Sequence, residues 1–250
     1  MNIAASGSQL RVLSVDVGGT EIKGAVLDAH GKMISRYLRS KTPSPFSPEV
    51  FEKKLKELAE ALPVFNRISV GFPGVVRGGK ILTAPHFGNE IWAGYAVENS
   101  LRKIFGRPAR ILNDADMHGS AVIEGKGLEL VVTLGTGVGT AFFQDGRLMP
   151  RLELAHHPIA HGKTYNQYLG DRVLKKIGRQ RWNFRVLRAL EILRTLINYD
   201  KIYIGGGNAA KIDFKLERNM KVVSNRAGTL GGIALWRKQN KNKRREEASK

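Results

Sequence analysis

Apolar and polar positions fall into blocks along this chain, and the blocks form two similar halves. The apolar run Val12 to Val17 predicts a buried strand, and Ile22 to Leu27 its partner. Between them lies a tight turn, Gly18-Gly19-Thr20. Lys32 to Ser40 predicts a third antiparallel strand. A proline-rich loop follows, in which Ser47 is placed to cap a helix with Pro48 at its first position. That helix carries Val50, Phe51, Leu55, Leu58, Ala59 and Leu62 at helical spacing and should end near Pro63. Arg67 to Phe72 reads as a short strand running into the turn Pro73-Gly74-Val75-Val76. Thr83 to Trp92 reads as a loop, Tyr95 to Phe105 as an amphipathic helix, Ala109 to Leu112 as a strand and Ala115 to Glu124 as a helix.

The second half starts the same way. Leu130 to Leu134 predicts a strand, Gly135-Thr136-Gly137-Val138-Gly139-Thr140 a glycine-and-threonine turn, and Ala141 to Gln144 a returning strand. Asp145-Gly146 supplies a hairpin turn. Helices are expected over Tyr165 to Ile177 and Arg185 to Ile197, and a strand over Lys201 to Ile204 opening onto Gly205-Gly206-Gly207. Ala227 to Trp236, rich in Gly and Ala, predicts a closely packed final helix.

Composition narrows the class. The 250 residues are 42% hydrophobic, enough for a folded core, and allow one large domain or two small ones. No apolar run reaches the roughly eighteen residues of a membrane span. Met1 to Gln9 is polar and lacks the apolar centre of a secretion signal, and there is no cysteine, so a cytoplasmic protein is expected. The net charge of +19 favours polyanions, among them nucleic acid, polyphosphate and anionic membrane. Part of that charge lies in residues 237–250, expected to be a disordered basic tail.

The chemistry-bearing positions sit at the ends of the apolar runs. A glycine turn after a strand brings bare N–H groups close to an anion, although the opening stretch alone is equally an ordinary hairpin. Asp16 at the strand end is suited to a hydrated Mg²⁺, and Thr20 to a phosphate. Lys23 is either a point charge for phosphate or a solvated strand residue. Asn113-Asp114-Ala115-Asp116 follows a buried strand, where open α/β sheets place ligands. Asp114 is either a general base or a helix cap. The turns match neither a Walker loop nor a dinucleotide fingerprint.

Taken together, seven stretches in order resemble the ROK family of sugar kinases within the actin-like ATPase superfamily, and within it the polyphosphate glucokinase branch. They are Asp16-Val17-Gly18-Gly19-Thr20 with Lys23, Gly71 to Val76, Leu112 to Asp116, Thr133 to Gly139, Asp145 to Leu148, Glu153-Leu154-Ala155-His156, and Tyr203 to Gly207. The resemblance implies an α/β fold of two actin-like (ribonuclease H-like) domains, each with a mixed five-stranded sheet, around a cleft. The expected division is 1–113 and 114–236, with the last helix packed on the first domain.

It also implies a phosphoryl transfer from inorganic polyphosphate, or also ATP, to the 6-hydroxyl of glucose, with Asp114 as general base. The alternatives are a strictly ATP-dependent hexokinase of the family and a non-catalytic polyphosphate- or sugar-binding protein. A DNA-binding regulator of the family would need a helix-turn-helix module before the first strand, for which this sequence has no room, so no specific nucleic acid is expected. Asn113, Glu153, His156 and Gly74 are implied to hold the sugar. Gly18, Gly19, Thr20 and Lys23 on one side, and Gly135, Thr136 and Gly137 on the other, are implied to hold the phosphate chain. Gly205, Gly206 and Gly207 match the nucleotide-side loop, and Asp16 the Mg²⁺ position. Three departures stand out. No cysteine cluster exists to form a structural zinc site with His156; Asn166 stands where relatives carry a further sugar-binding glutamate; and His86 stands near a usual Asn. A homodimer is expected by analogy.

Overall fold

In the computed structural model, residues 9–236 are described. Residues 237–250, read from the sequence as a disordered tail, lie outside them, as do residues 1–8. The first half contains β1 (Val12–Val17), β2 (Glu21–Leu27), β3 (Leu38–Lys41), α1 (Pro48–Glu60), β4 (Arg67–Phe72), β5 (Val76–Arg77), β6 (Lys80–Ile81), α2 (Asn89–Trp92), α3 (Val97–Phe105) and β7 (Ala109–Asn113). The second contains α4 (Asp114–Val122), β8 (Leu128–Leu134), β9 (Val138–Gln144), β10 (Arg147–Leu148), β11 (Pro158–Ala160), β12 (Lys163–Thr164), α5 (Tyr165–Leu169), α6 (Asp171–Ile177), α7 (Arg179–Ile197), β13 (Lys201–Gly205), β14 (Met220–Val222) and α8 (Ala227–Leu230).

Two five-stranded mixed sheets repeat one design. Their orders are β3-β2-β1-β4-β7 and β10-β9-β8-β13-β14. In each, a three-stranded antiparallel ribbon continues into two parallel strands. Parallel strands are buried on both faces, which explains the near-continuous apolar runs of β4 and β13.

Local chemistry sets the boundaries. The Ser47 hydroxyl accepts from Val50 N and Pro48 opens α1, as the spacing predicts. The third strand is shorter than expected. Only Leu38–Lys41 pairs with β2, because Ser35 Oγ accepts the Val26 N–H at 2.9 Å and takes the place of a ladder bond. The helix expected over Tyr165 to Ile177 is two helices. The backbone breaks at Gly170, where a Cβ would lie 2.8 Å from both Asn166 O and Thr136 O. α7 starts earlier than expected, at Arg179, so that Trp182 is buried. The loop Thr83 to Trp92 ends in the short helix α2.

Each sheet has its own core. Phe51, Leu55, Val70 and Phe72 anchor the first; Leu130, Trp182, Leu190 and Ile202 anchor the second. Burial of one such side chain stabilises the fold by roughly 2 kcal/mol. Between the halves lies α4. Met117 meets Gly71 of the first sheet, while Gly119 meets Phe143 of the second. The chain then returns. Ser14 Oγ donates to Thr229 O at 2.5 Å, Ser69 Oγ donates to Gly232 O at 2.8 Å, and Trp236 Nε1 donates to Ser69 Oγ. Ile233 completes a small apolar cluster with Val12 and Leu27. The last helical turns therefore belong, by packing, to the first sheet.

Candidate active site

The glycine turns of the two antiparallel ribbons face each other. Thr20 Oγ1 and Thr136 Oγ1 lie 3.1 Å apart, and a Cβ on Gly19 would lie 3.4 Å from Thr136 Oγ1. Around them opens a cleft of about 410 Å³. Its donor-suited wall carries Asp16, Gly18, Gly19, Thr20 and Lys23 from β1 and β2, and Gly135, Thr136 and Gly137 from the β8–β9 turn. Gly206 and Gly207 close that end; Gly205 does not line the cleft. Gly206 has φ +87°, and a Cβ there would collide with Leu134 backbone, so a larger residue is excluded twice over.

The second turn is braced from behind. Asp171 N donates to Gly135 O at 2.9 Å, and Asn208 Nδ2 donates to Gly135 O and Asp171 Oδ1. The sequence reading missed Asp171 and Asn208. The only signal available was their position just after a glycine.

The sugar-suited wall carries Asp114, Gly74, His86, Asn113, Glu153, His156 and Asn166, with His86 and Asn166 set against Gly137 of the second turn. Beneath this end an aromatic cluster sets the loop carrying His86: Phe72 and Trp92 have ring centroids 4.7 Å apart, Phe46 and Phe87 4.8 Å. Trp92 Nε1 donates to Phe46 O, which fixes that stack. Three residues read as sugar ligands also hold the local fold. Asn113 is the α4 cap: its Oδ1 accepts from Ala115 N and Asp116 N, and its Nδ2 donates to Phe72 O and Gly74 O. All four of its hydrogen-bonding positions are used. The N–H of Gly74 donates to Phe72 O, and its carbonyl accepts from Asn113. Asn166 Oδ1 accepts from Val138 N, leaving its amide N–H groups. Asn113 is the cap and Asp114 begins the helix, with its Oδ1 accepting from Ala115 N at 2.9 Å.

Electrostatics single out the carboxylates. Burial holds Asp114 above the ordinary carboxylate range, opposed chiefly by the Arg151 guanidinium. Asp116 is pushed up to about 6 by burial, again opposed by Arg151, which pairs with it at 3.2 Å. Arg151 also donates to Glu153 and to Thr140 O, and Glu153 lies 3.8 Å from His156 Nε2. This arginine, unremarked in the sequence, is the hub of the sugar-suited end. His86 is lowered by burial and stays neutral. Lys23 is not a solvated strand residue: it is buried and faces Asp16 at 3.5 Å.

Asp16 is pushed up to about 6 by burial, with Lys23 the main opposing charge. One distant cation leaves the buried carboxylate under-compensated. That suits Mg²⁺, which keeps most of its waters and needs only one or two carboxylates beside phosphate oxygens. Among the described residues no group of three or more His, Cys, Asp or Glu could hold a metal alone, and none of the described helices is long and apolar enough to cross a membrane.

An acceptor hydroxyl, a phosphate chain and a buried carboxylate thus fit one cleft. The ROK family profile matches residues 12–153. A polyphosphate glucokinase of Mycobacterium tuberculosis (strain ATCC 25177 / H37Ra) is 31% identical over 90% of this chain and 90% of its own length. The solved inorganic polyphosphate/ATP-glucomannokinase from Arthrobacter sp. strain KM superposes with a TM-score of 0.79 at 28% identity, covering 90% of this chain and 97% of that one. A ROK family glucokinase from Streptomyces griseus, solved with glucose and AMPPNP, shares the fold with a TM-score of 0.73 at 19% identity, over 91% of this chain and 99% of that one. The chain, with its two mixed five-stranded sheets, belongs to the ROK family.

Proposed function

We propose that this protein is a sugar kinase that transfers a phosphoryl group from inorganic polyphosphate, or from ATP, to the 6-hydroxyl of glucose. The observation that carries the reading is the meeting of the two turns at Thr20 and Thr136 with the buried Asp114 in the same cleft. The names of the relatives support the donor and the acceptor.

In this reading Asp114 accepts the 6-hydroxyl proton as the sugar oxygen attacks the terminal phosphorus. The bond from phosphorus to the bridging oxygen breaks, and the shortened phosphate chain, or ADP, leaves along the donor end. Glu153 and His156 accept from and donate to the neighbouring hydroxyls. Asn166 and His86 face the same end of the cleft. Asn113 fixes the start of α4 and the Gly74 loop, and so aims Asp114 at the sugar that Asn113 itself lies beside. Backbone N–H groups of Gly18, Gly19, Gly135 and Gly137, with Lys23, hold the phosphates. Asp16 would hold Mg²⁺, which supplies neutralisation of the transferred charge.

The test is a panel of donors against sugars with added Mg²⁺. Phosphorylation of glucose by polyphosphate as sole donor is the expected result. Turnover with ATP alone would reduce the reading to an ATP-dependent hexokinase, and none with either donor to a binding protein. The same reading takes the working form to be a cytoplasmic homodimer; light scattering and cell fractionation check those two points.

A further inference from the structure

His118 has no place in the mechanism above, yet it lines the cleft. It is 4% exposed, and its Nε2 is buried without a hydrogen-bond partner. Among the described residues, buried side-chain atoms without a partner are few, and His118 is the one residue among their owners that lines the cleft. A buried polar atom left unpaired calls for a ligand or a water to complete it.

Its position says which ligand. His118 lies four residues after Asp114 in α4, one turn along the same helix face. Asp114 starts that helix beside the sugar-suited groups, and the neighbours of His118 are the groups of the donor-suited wall. Lys23 is the charge that acts on its ring. On the other side its Nε2 presses against Gly205, where a Cβ would collide with it. The strand-end glycine that does not line the cleft thus makes the room in which this imidazole sits. Burial, with help from Lys23, holds the ring down at about 4, so it is neutral at working pH and carries one N–H.

We propose that His118 Nε2 donates a hydrogen bond to a phosphate oxygen of the donor chain at the floor of the cleft, between the Asp16–Lys23 pair and the Gly205–Gly207 turn. The donor's identity rests on the kinase reading; the phosphate contact does not. Lys23 supplies charge and His118 supplies direction, so the two differ in what their loss should do.

The test has a spectroscopic and a kinetic arm. In ¹⁵N-labelled protein the His118 Nε2 signal, assigned by its loss in His118→Gln, should move and saturate on addition of inorganic tripolyphosphate without sugar or Mg²⁺. It should stay still on addition of glucose alone. His118→Ala should raise the KM for polyphosphate about tenfold, with the KM for glucose within about twofold. His118→Gln, which keeps an N–H donor, should recover part of that loss, and its melting temperature guards against misfolding. A still Nε2 signal while calorimetry reports tripolyphosphate binding overturns the proposal, as does an equal rise in both KM values. Tripolyphosphate that moves the signal in a protein turning over no sugar leaves the contact standing and removes the kinase reading.

Discussion

The two halves share strand order, ribbon and turn, and differ in what they place at the matching point. Where β1 has Asp16 paired across the ribbon with Lys23, β8 has Thr133 paired with Gly139. One half thus brings a buried ion pair to the cleft, and the other a hydroxyl and bare backbone. The turns differ in size as well: Val17 pairs with Ile22, but Leu134 pairs with Val138, one residue tighter. The lesson is a division of labour within a repeated frame. The first half supplies charge, which suits a cation and the transferred phosphate. The second supplies neutral donors, which suit a chain of anions without adding a competing field. Asp114 begins the helix between them, where both sheets determine its position.

Each of these contrasts can be broken. The largest effect is expected at Asp114→Asn, which keeps the shape and removes the base. Turnover should fall about 10³-fold with little change in melting temperature, as steady-state kinetics and calorimetry would read. Next comes the charge contrast itself. Asp16→Asn should cost about 10²-fold in turnover and abolish the dependence on Mg²⁺ concentration, while Thr133→Val should cost less than about tenfold. Equal losses at the two positions would erase the proposed division.

Arg151→Met should have a double signature. It leaves Asp116 buried without its partner, a loss of about 3 kcal/mol in denaturant unfolding. It also moves the acid limb of activity. Asp114 must be ionised to act, burial already raises it, and Arg151 pulls it down. Rate is therefore lost as pH falls through a value above the ordinary carboxylate range, and without Arg151 that loss should begin at still higher pH. A limb that stays put would separate Arg151 from the base. The smallest effect is expected at the bridge between the turns. Thr20→Val should raise the KM for donor by only about threefold, since the pair it breaks is exposed.

Most of the framework could be read from the chain because apolar runs and helical spacing are local signals. Val12 to Val17, Arg67 to Phe72 and Lys201 to Ile204 are strands for the reason their sequence states. The misreadings have non-local causes. Ser35 looks like a strand residue, but its hydroxyl takes over a backbone bond of β2. The break at Gly170 exists because the β8–β9 turn passes too close for a Cβ. Asn113 carries a family motif, and its amide also holds α4 and Gly74, which no spacing reveals. Arg151 and His118 were invisible for the same reason. An arginine in a polar loop or a lone histidine in a helix takes its meaning from neighbours that only the closed fold supplies. The strong positive charge of the chain said little about the cleft itself, where five carboxylates (Asp16, Glu21, Asp114, Glu153, Asp171) outnumber the three cations Lys23, Arg39 and Arg151.

The return of the chain onto its own beginning sets an order of events during synthesis. Ser14 finds its acceptor 215 positions later, at Thr229, and Gly228 presses on Asp16 itself. The first strand therefore gains its last neighbour only after residues 228–232 have been made, and a chain that stops short of them leaves the wall behind Asp16 open.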